Sequence, residues 1–374
     1  MPTQHSRFLF EQATAQDSDE ILHILEEASF KGHIALIYTR RPDAYWSFKQ
    51  EGDEVDIIVA RDTQYGKIAG FGACAIRNLF VNGIPTRVGY LFGLRVARTY
   101  LKKFPILHRG YAYLRTLHQT KHVACYITTI LEENLDVQAM LEKHRVFMPT
   151  YQPFGKYEIF ALRTGRPLKS RSALLASCSF RQATMADLPL LVAFLHEQGR
   201  QMQFFPVITE TALLSGVFPD LGVKDFWVMQ DAHGEFLAVG ALWDQRSYKQ
   251  YLLQGYGGYF RCLYPFTKLL PLFGFPALPA PGSILAFCTL SFWAVKDQNP
   301  EIFSLFLEYL AYVTGSVPFF LIGVHESHPL GFILQKRPHI SYRSKMYLVF
   351  WEEQQEFINT LRQEDRRYLE CGLL

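Results

Sequence analysis

The chain has 374 residues, of which 49% are hydrophobic, 20% charged and 15% aromatic, and its formal charge is +3. Such a chain fills more than one ordinary core and is not disordered, while its near-neutrality argues against a dedicated nucleic-acid binder, which concentrates a larger basic excess. Six cysteines without any Cys-x-x-Cys spacing argue against a zinc or disulfide framework and for free thiols in a reducing compartment.

In chain order, a short strand at 8–12 leads through Ala13 and Thr14 to Asp17, which suits a helix N-cap, with Glu20 completing a capping box. Ile21, Leu22, Leu25 and Ala28 then share one helical face. Strands at 56–60 and 68–74 flank a turn at 62–66, and a strand at 87–96 precedes a helix around 109–119. A strand at 124–130 leads into a helix around 134–143. The stretch 165–177, with Gly165, Pro167 and a mixture of Lys, Arg and Ser, reads as a linker.

Beyond it the pattern restarts. A strand at 179–182 is followed by Asp187, Pro189 and an apolar stripe of Leu190, Leu191, Phe194 and Leu195. Strands at 226–229 and 237–242 flank a turn at 231–234, and a strand at 283–295, a helix at 300–314 and a strand at 319–324 follow. The most apolar stretch, 259–292, is broken by five prolines, short of the roughly 20 uninterrupted apolar residues of a spanning helix. It reads as a buried loop or a surface flap. Residues 352–367 read as a charged amphipathic helix, and the N-terminal segment lacks the apolar run of a secretory signal.

Laid against itself, the chain repeats. Phe10, Gln12, Ala13, Thr14 and Asp17 recur as Phe180, Gln182, Ala183, Thr184 and Asp187 at an offset of 170, which also carries Gly70 to Gly240. Each copy has the order β-α-β-β-β-α-β-α, a mixed α/β layer.

That order, the F-x-x-A-T-x-x-D opening at Phe10 and the segments GYLFGLRV, HRGYAYLRTL, ITTILEEN and MPTY resemble the GNAT N-acetyltransferases, in particular bacterial tandem GNAT proteins. The likeness continues more weakly through ALWDQRSYKQ and IGVHESHPLG. It implies an α/β fold of two tandem GNAT-like domains, each a mixed, mostly antiparallel sheet flanked by helices, at 1–164 and 178–374. It further implies that the fourth and fifth strands splay apart to admit the pantetheine of acetyl-CoA. The backbone of Leu94, Arg95 and Val96 would pair with that arm, Asn134 would contact it, and the loop 97–107 would face the pyrophosphate.

The chain departs from the family at several points. Leu101-Lys102-Lys103-Phe104-Pro105-Ile106 stands where the phosphate loop carries glycines, so Lys102 and Lys103 would supply charge instead. The second copy's WAVKDQNP has no glycine, which makes the first copy the expected CoA site and the second the shaper of the acceptor pocket. Leu141 occupies the position of the usual tyrosine acid, leaving Tyr151 as its candidate replacement or a half-buried structural tyrosine. Glu132, Glu133 or Asp136 could act as base or simply complement the helix dipole, as His144 could at the other end. Trp243, Asp244 and His325 are candidates for an amine-bearing acceptor. His325 and His328 lack a third ligand, so no metal is expected. The expected function is transfer of an acetyl or other acyl group from acyl-CoA to a small-molecule or peptide amine. The alternative is a catalytically silent GNAT-like binder of a metabolite or protein partner. A longer acyl donor, with 259–281 lining its tunnel, or an aminoacyl-tRNA donor is a third possibility. A cytoplasmic protein with no nucleic-acid or membrane partner is expected.

Overall fold

The computed structural model describes residues 7–27, 29–30, 34–101, 105–143, 145, 147–165, 168, 177–273, 275, 277–362 and 366–374. The first half supplies β1 (Phe8–Gln12), β2 (Ser29–Phe30), β3 (Ile34–Thr39), β4 (Glu54–Asp62), β5 (Lys67–Val81), β6 (Ile84–Val96), β7 (Cys125–Leu131) and β8 (Thr150–Arg163). The second half adds β9 (Ser179–Gln182), β10 (Met202–Gln203), β11 (Phe205–Pro206), β12 (Phe226–Gln230), β13 (Phe236–Trp243) and β14 (Gln250–Tyr256). After these come β15 (Cys288–Val295), β16 (Phe319–His325), β17 (Ile340–Phe350) and β18 (Arg366–Arg367). The helices are α1 (Ser18–Glu27), α2 (Ala44–Lys49), α3 (Pro105–His118), α4 (Leu135–Glu142), α5 (Leu188–Gly199), α6 (Glu210–Leu214), α7 (Gly258–Leu263), α8 (Pro300–Val313), α9 (Gly331–Gln335) and α10 (Gln355–Asn359).

One 13-stranded sheet carries the molecule, in the order β1-β4-β5-β6-β7-β17-β8-β16-β15-β13-β12-β9, with β11 attached to β5. This order reads alike from either end. β1, β4, β5, β6 and β7 correspond to β9, β12, β13, β15 and β16, and the two last strands have changed places at the centre. β17 pairs with β7 (Ser344↔Leu131 to Val349↔Tyr126), while β8 pairs with β16 (Phe319↔Arg163 to His325↔Tyr157). β8 and β17 also pair with each other, Ile340↔Ala161 through Phe350↔Thr150.

Because side chains alternate across a strand, these central strands feed several cores at once. On β17, Met346 and Leu348 enter the first-half core, while Tyr347 and Val349 enter a cluster beneath α3 and α4. On β8, Tyr157 and Ile159 join the first-half core, whereas Phe160 and Leu162 join the second-half core.

Each copy opens with the same device, its cap three residues earlier than the sequence suggests. Thr14 and Thr184 cap short 3-10 turns, and Asp17 and Asp187 accept from their backbone amides at 2.8 and 2.7 Å. Asp17 is thus the third residue of the box, not its cap, and Glu20 instead accepts from the Ile68 amide at 3.0 Å. The Gly70–Gly240 equivalence also needs correction. Gly70 pairs with Ala60 and Val96, as Ala238 pairs with Met229 and Val295, so Gly240 corresponds to Gly72. The connections before β12 and between β12 and β13 are each one residue shorter than their first-half equivalents, which moves the offset. The expected strand at 283–295 starts only at Cys288, and 352–367 is a 3-10 turn, the short α10 and β18 rather than one helix.

The shared centre couples the halves energetically. Phe160, wholly buried in the second-half core though it belongs to the first half, should cost about 3–5 kcal/mol on truncation to alanine. Denaturant unfolding followed separately by far-UV circular dichroism and tryptophan fluorescence should show one coincident transition, shifted as a unit in Phe160→Ala.

Candidate functional site

The sheet parts at two equivalent places. β6 and β7 run parallel and pair only over Val88↔Cys125, Gly89↔Tyr126 and Tyr90↔Ile127. Past that point β7 follows β17, and among the described residues no strand covers the edge of β6 from 92 to 96. Thr128 Oγ1 donates to the Leu91 carbonyl at 2.7 Å, and the Tyr90 and Thr129 hydroxyls lie 3.0 Å apart, which pins the fork. A bulge follows at Gly93, whose φ of +67° favours glycine. Any Cβ there would also lie 2.7 Å from Phe48 Cε1. Residues 92–96 are half-buried, so the notch beside them is open.

The matching fork, between β15 and β16, pairs only Cys288↔Phe320 and Thr289↔Leu321. Here every β15 residue is buried, because residues 368–373 fill the notch. Glu370 accepts from the Phe292 amide at 2.6 Å, the Gly372 amide at 2.9 Å and the Tyr368 hydroxyl at 2.7 Å. Burial pushes its carboxyl above the usual range, and those donors only partly offset the effect. A Cβ on Gly372 would sit 2.3 Å from Ser291 Oγ, so this segment is in full contact with the strand. The helix beyond the notch is closed as well. Asn299 Oδ1 accepts from the Glu301 and Ile302 amides at 2.9 and 3.2 Å, and Pro300 has no N–H, leaving that helix start without donors for an anion.

A small cleft of about 30 Å³ lies beside β14 of the three-stranded sheet β14-β3-β2, to which both halves contribute. Gln245, Lys249, Tyr251, Thr289, Leu321 and Tyr342 are among its lining residues. Behind it, Glu51 gathers three cations. Arg40 Nη2 lies at 2.5 Å, Lys249 Nζ at 3.1 Å and Arg77 Nη2 at 3.7 Å. Burial would raise the Glu51 carboxyl, but Lys249, Arg40 and Arg77 hold it below its ordinary value. Burial likewise drives Lys249 down, to about 8, with Glu51 opposing and Arg40 and Arg77 adding their repulsion. Tyr90 at the first fork feels the same cluster. Burial raises it to about 12, with Arg77 opposing and Glu51 adding to the rise.

No protein-family model matches the chain, and no curated protein matches it. Solved structures do. Saccharomyces cerevisiae N-myristoyltransferase with bound myristoyl-CoA aligns at a TM-score of 0.58 and 11% identity, over 92% of this chain and 83% of that one. The GCN5-related glucosamine N-acetyltransferase region of a fungal multi-domain β-N-acetylglucosaminidase aligns at 0.64 and 15%, over 93% of this chain and 38% of that one. A GCN5-related N-acetyltransferase from Anabaena variabilis aligns at 0.52 and 11%, over 91% and 72%. The chain has the GNAT fold, in two copies.

In GNAT terms, Leu94, Arg95 and Val96 line the open fork, and Asn134 is exposed at the start of α4 with no capping bond from its side chain. Lys102, Lys103 and His144 lie outside the described residues. The remaining expected residues are engaged elsewhere. Tyr151 is buried with its hydroxyl against that of Tyr111, and burial raises it well above the ordinary tyrosine range. Glu132 forms a surface ion pair with Lys156 at 2.7 Å. Trp243 is buried and donates to the Pro219 carbonyl at 2.7 Å, while Asp244 grips the cleft residue Arg246 at 2.6 Å. Both ring nitrogens of His325 are taken, by Ser327 Oγ at 2.8 Å and the Phe154 carbonyl at 2.7 Å, and burial lowers it to about 4. Among the described residues no cluster of three or more metal-ligating side chains occurs.

Sequence reasoning passed over Lys249 and Glu51, although Lys249 stands inside the segment ALWDQRSYKQ that carries the resemblance. A lysine before the apolar run Tyr251-Leu252-Leu253 was the available signal; its partner Glu51, nearly 200 residues away, was not. The pH dependence of stability tests the assignment. Unfolded lysine titrates near 10.4, above the folded value of about 8, so the unfolded chain binds more protons between these limits and stability rises with pH. Relative to Lys249→Met, the wild type should gain roughly 3 kcal/mol between pH 8 and 10.5, measured by urea unfolding.

Proposed function

We propose that the protein is an acyl-CoA-dependent N-acyltransferase whose donor lies in the open β6–β7 fork and whose amine acceptor enters the cleft between the halves. The observation that carries this reading is the asymmetry of the forks: one has a half-buried, uncovered strand edge, and the other is filled by residues 368–373. The fold shared with N-acyltransferases supports acyl transfer as the class of chemistry. In this reading the backbone of Leu94, Arg95 and Val96 pairs with pantetheine, Asn134 contacts it, and Lys102 and Lys103 face the pyrophosphate.

The chemistry needs a base for the acceptor's ammonium proton. We assign that role to Lys249, a lining residue of the cleft whose depressed value of about 8 leaves a usable neutral fraction. An acceptor ammonium gives its proton to Nζ, the free amine attacks the thioester carbonyl and the C–N bond forms; as the C–S bond breaks, the second proton of the nitrogen passes to the departing sulfur, which releases CoA as its thiol. The acyl chain length follows from the fork and is open to measurement.

Calorimetric titration of acetyl-, octanoyl- and palmitoyl-CoA into the full chain should give one site per chain. Binding should weaken by about tenfold or more in Lys102→Ala/Lys103→Ala, the loss expected when charge-assisted phosphate contacts go. Two sites per chain would contradict a closed second fork, and no binding of any acyl-CoA would sink the donor assignment. In an acceptor screen, kcat/KM should fall with decreasing pH below about 8 in the wild type. That limb should disappear in Lys249→Met while acyl-CoA affinity is retained. A second reading, a relative that binds without turnover, is favoured by Leu141 in place of the tyrosine acid; acyl-CoA binding without CoA release to any amine would select it.

A further inference from the structure

Between β14 and β15, two strands that line the cleft, the chain makes an excursion: α7, a 3-10 turn at Tyr264–Phe266 and another at Leu270–Phe273. Its outer side exposes Tyr259, Leu263, Phe266, Leu269, Leu272 and Phe273, with Leu272 80% and Phe273 71% exposed. A contiguous set of this size marks an interaction surface. Its inner side is built. Phe260 is buried, Tyr256 and Tyr264 stack at 5.2 Å, Thr267 Oγ1 donates to the Leu278 carbonyl at 3.0 Å, and Arg163 donates to the Pro271 carbonyl.

Charge says what covers it. No acidic residue stands between Asp244 and Asp297. Of the cations in that span, Arg246, Lys249 and Lys296 pair with Asp244, Glu51 and Glu235. Arg261 and Lys268, both on the flap and both exposed, make no ion pair among the described residues. A surface of leucine and aromatic side chains carrying only unpaired cations complements the boundary between the anionic headgroups and acyl chains of a bilayer. Among the described residues no helix is long and apolar enough to cross a membrane, so the contact is one of lying on the surface.

We propose that residues 258–273 form a docking flap for an anionic lipid bilayer, holding the neighbouring cleft against the membrane surface. No membrane partner is expected from the sequence alone; the exposure of the flap is what points to one. The proposal stands independently of acyl transfer, since its test reads binding only.

Sedimentation of the full chain with vesicles of phosphatidylcholine containing about 30% phosphatidylglycerol should pellet the wild type, and pure phosphatidylcholine should not. Arg261→Gln/Lys268→Gln should weaken partitioning roughly thirtyfold, from about fivefold per cation. Leu272→Ser/Phe273→Ser should weaken it about a hundredfold. All four positions are exposed, so both variants should melt with the wild type. In Leu272→Trp, vesicles should shift the emission to the blue relative to the free protein. A wild type that stays in the supernatant, or variants that bind as well as it does, would overturn the proposal. So would a wild type that sediments as a dimer, becomes monomeric in Leu272→Ser/Phe273→Ser and ignores vesicles, which would assign the flap to a second copy of the chain.

Discussion

The ladder of β17 between β7 and β8 is the constraint on which the molecule depends. Residues near the C-terminus complete the sheet of the first half, and residues 150–163 complete that of the second. Neither half buries its apolar faces alone. Met346 and Leu348 fill one core while Phe160 and Leu162, arriving from the opposite direction, fill the other. A backbone exchanged in this way leaves no unpaired central edge, since every strand at the exchange has two neighbours.

From that exchange the asymmetry of the two forks follows. Once β17 has passed to the first half, residues 366–374 return across the second, and β18 pairs with β10 on the way. They settle in the notch beside β15, where Glu370 takes the Phe292 amide and Gly372 packs on Ser291. The same segment braces the charge cluster, because the Gly372 and Leu373 carbonyls accept from Lys249 and Arg77 at 3.4 and 3.2 Å. One fork is thereby spent on structure and the other kept open, a division of labour between two copies of one fold.

The cluster around Glu51 shows why such a site needs both halves. A single carboxylate with Arg40, Arg77 and Lys249 around it cannot neutralise all three in a buried setting. The system relaxes at its softest member. Arginine does not give up its proton, so lysine carries the shift. Ser47 donating to the Tyr248 carbonyl at 2.6 Å, beside this cluster, ties α2 of the first half to the second-half residues before β14.

Local patterning made much of this legible. The duplication showed in the Thr14 and Thr184 turns because those residues satisfy their own backbone within three positions. Much of the order of strands and helices followed from periodicity, while the fork at the end of β6 was what the resemblance of GYLFGLRV to the GNAT proteins implied. Less readable was whatever depends on partners far along the chain. The strand exchange, the closure of the second fork by residues 368–373 and the downward shift of Lys249 arise from contacts between residues separated by 75 to 300 positions. Hydrophobic pattern states that a side chain is to be buried but not against what, so Tyr151, Trp243 and His325 could be nominated as chemistry and yet prove fully hydrogen-bonded or buried within the fold. The sequence by itself determined most of the strands and helices that each copy repeats, though not β3, β8, β14 or β17, and that the unit occurs twice. Only the tertiary structure decided which copy stays open, because that depends on which notch a distant segment fills, here residues 368–373 beside β15 with Glu370 taking the Phe292 amide.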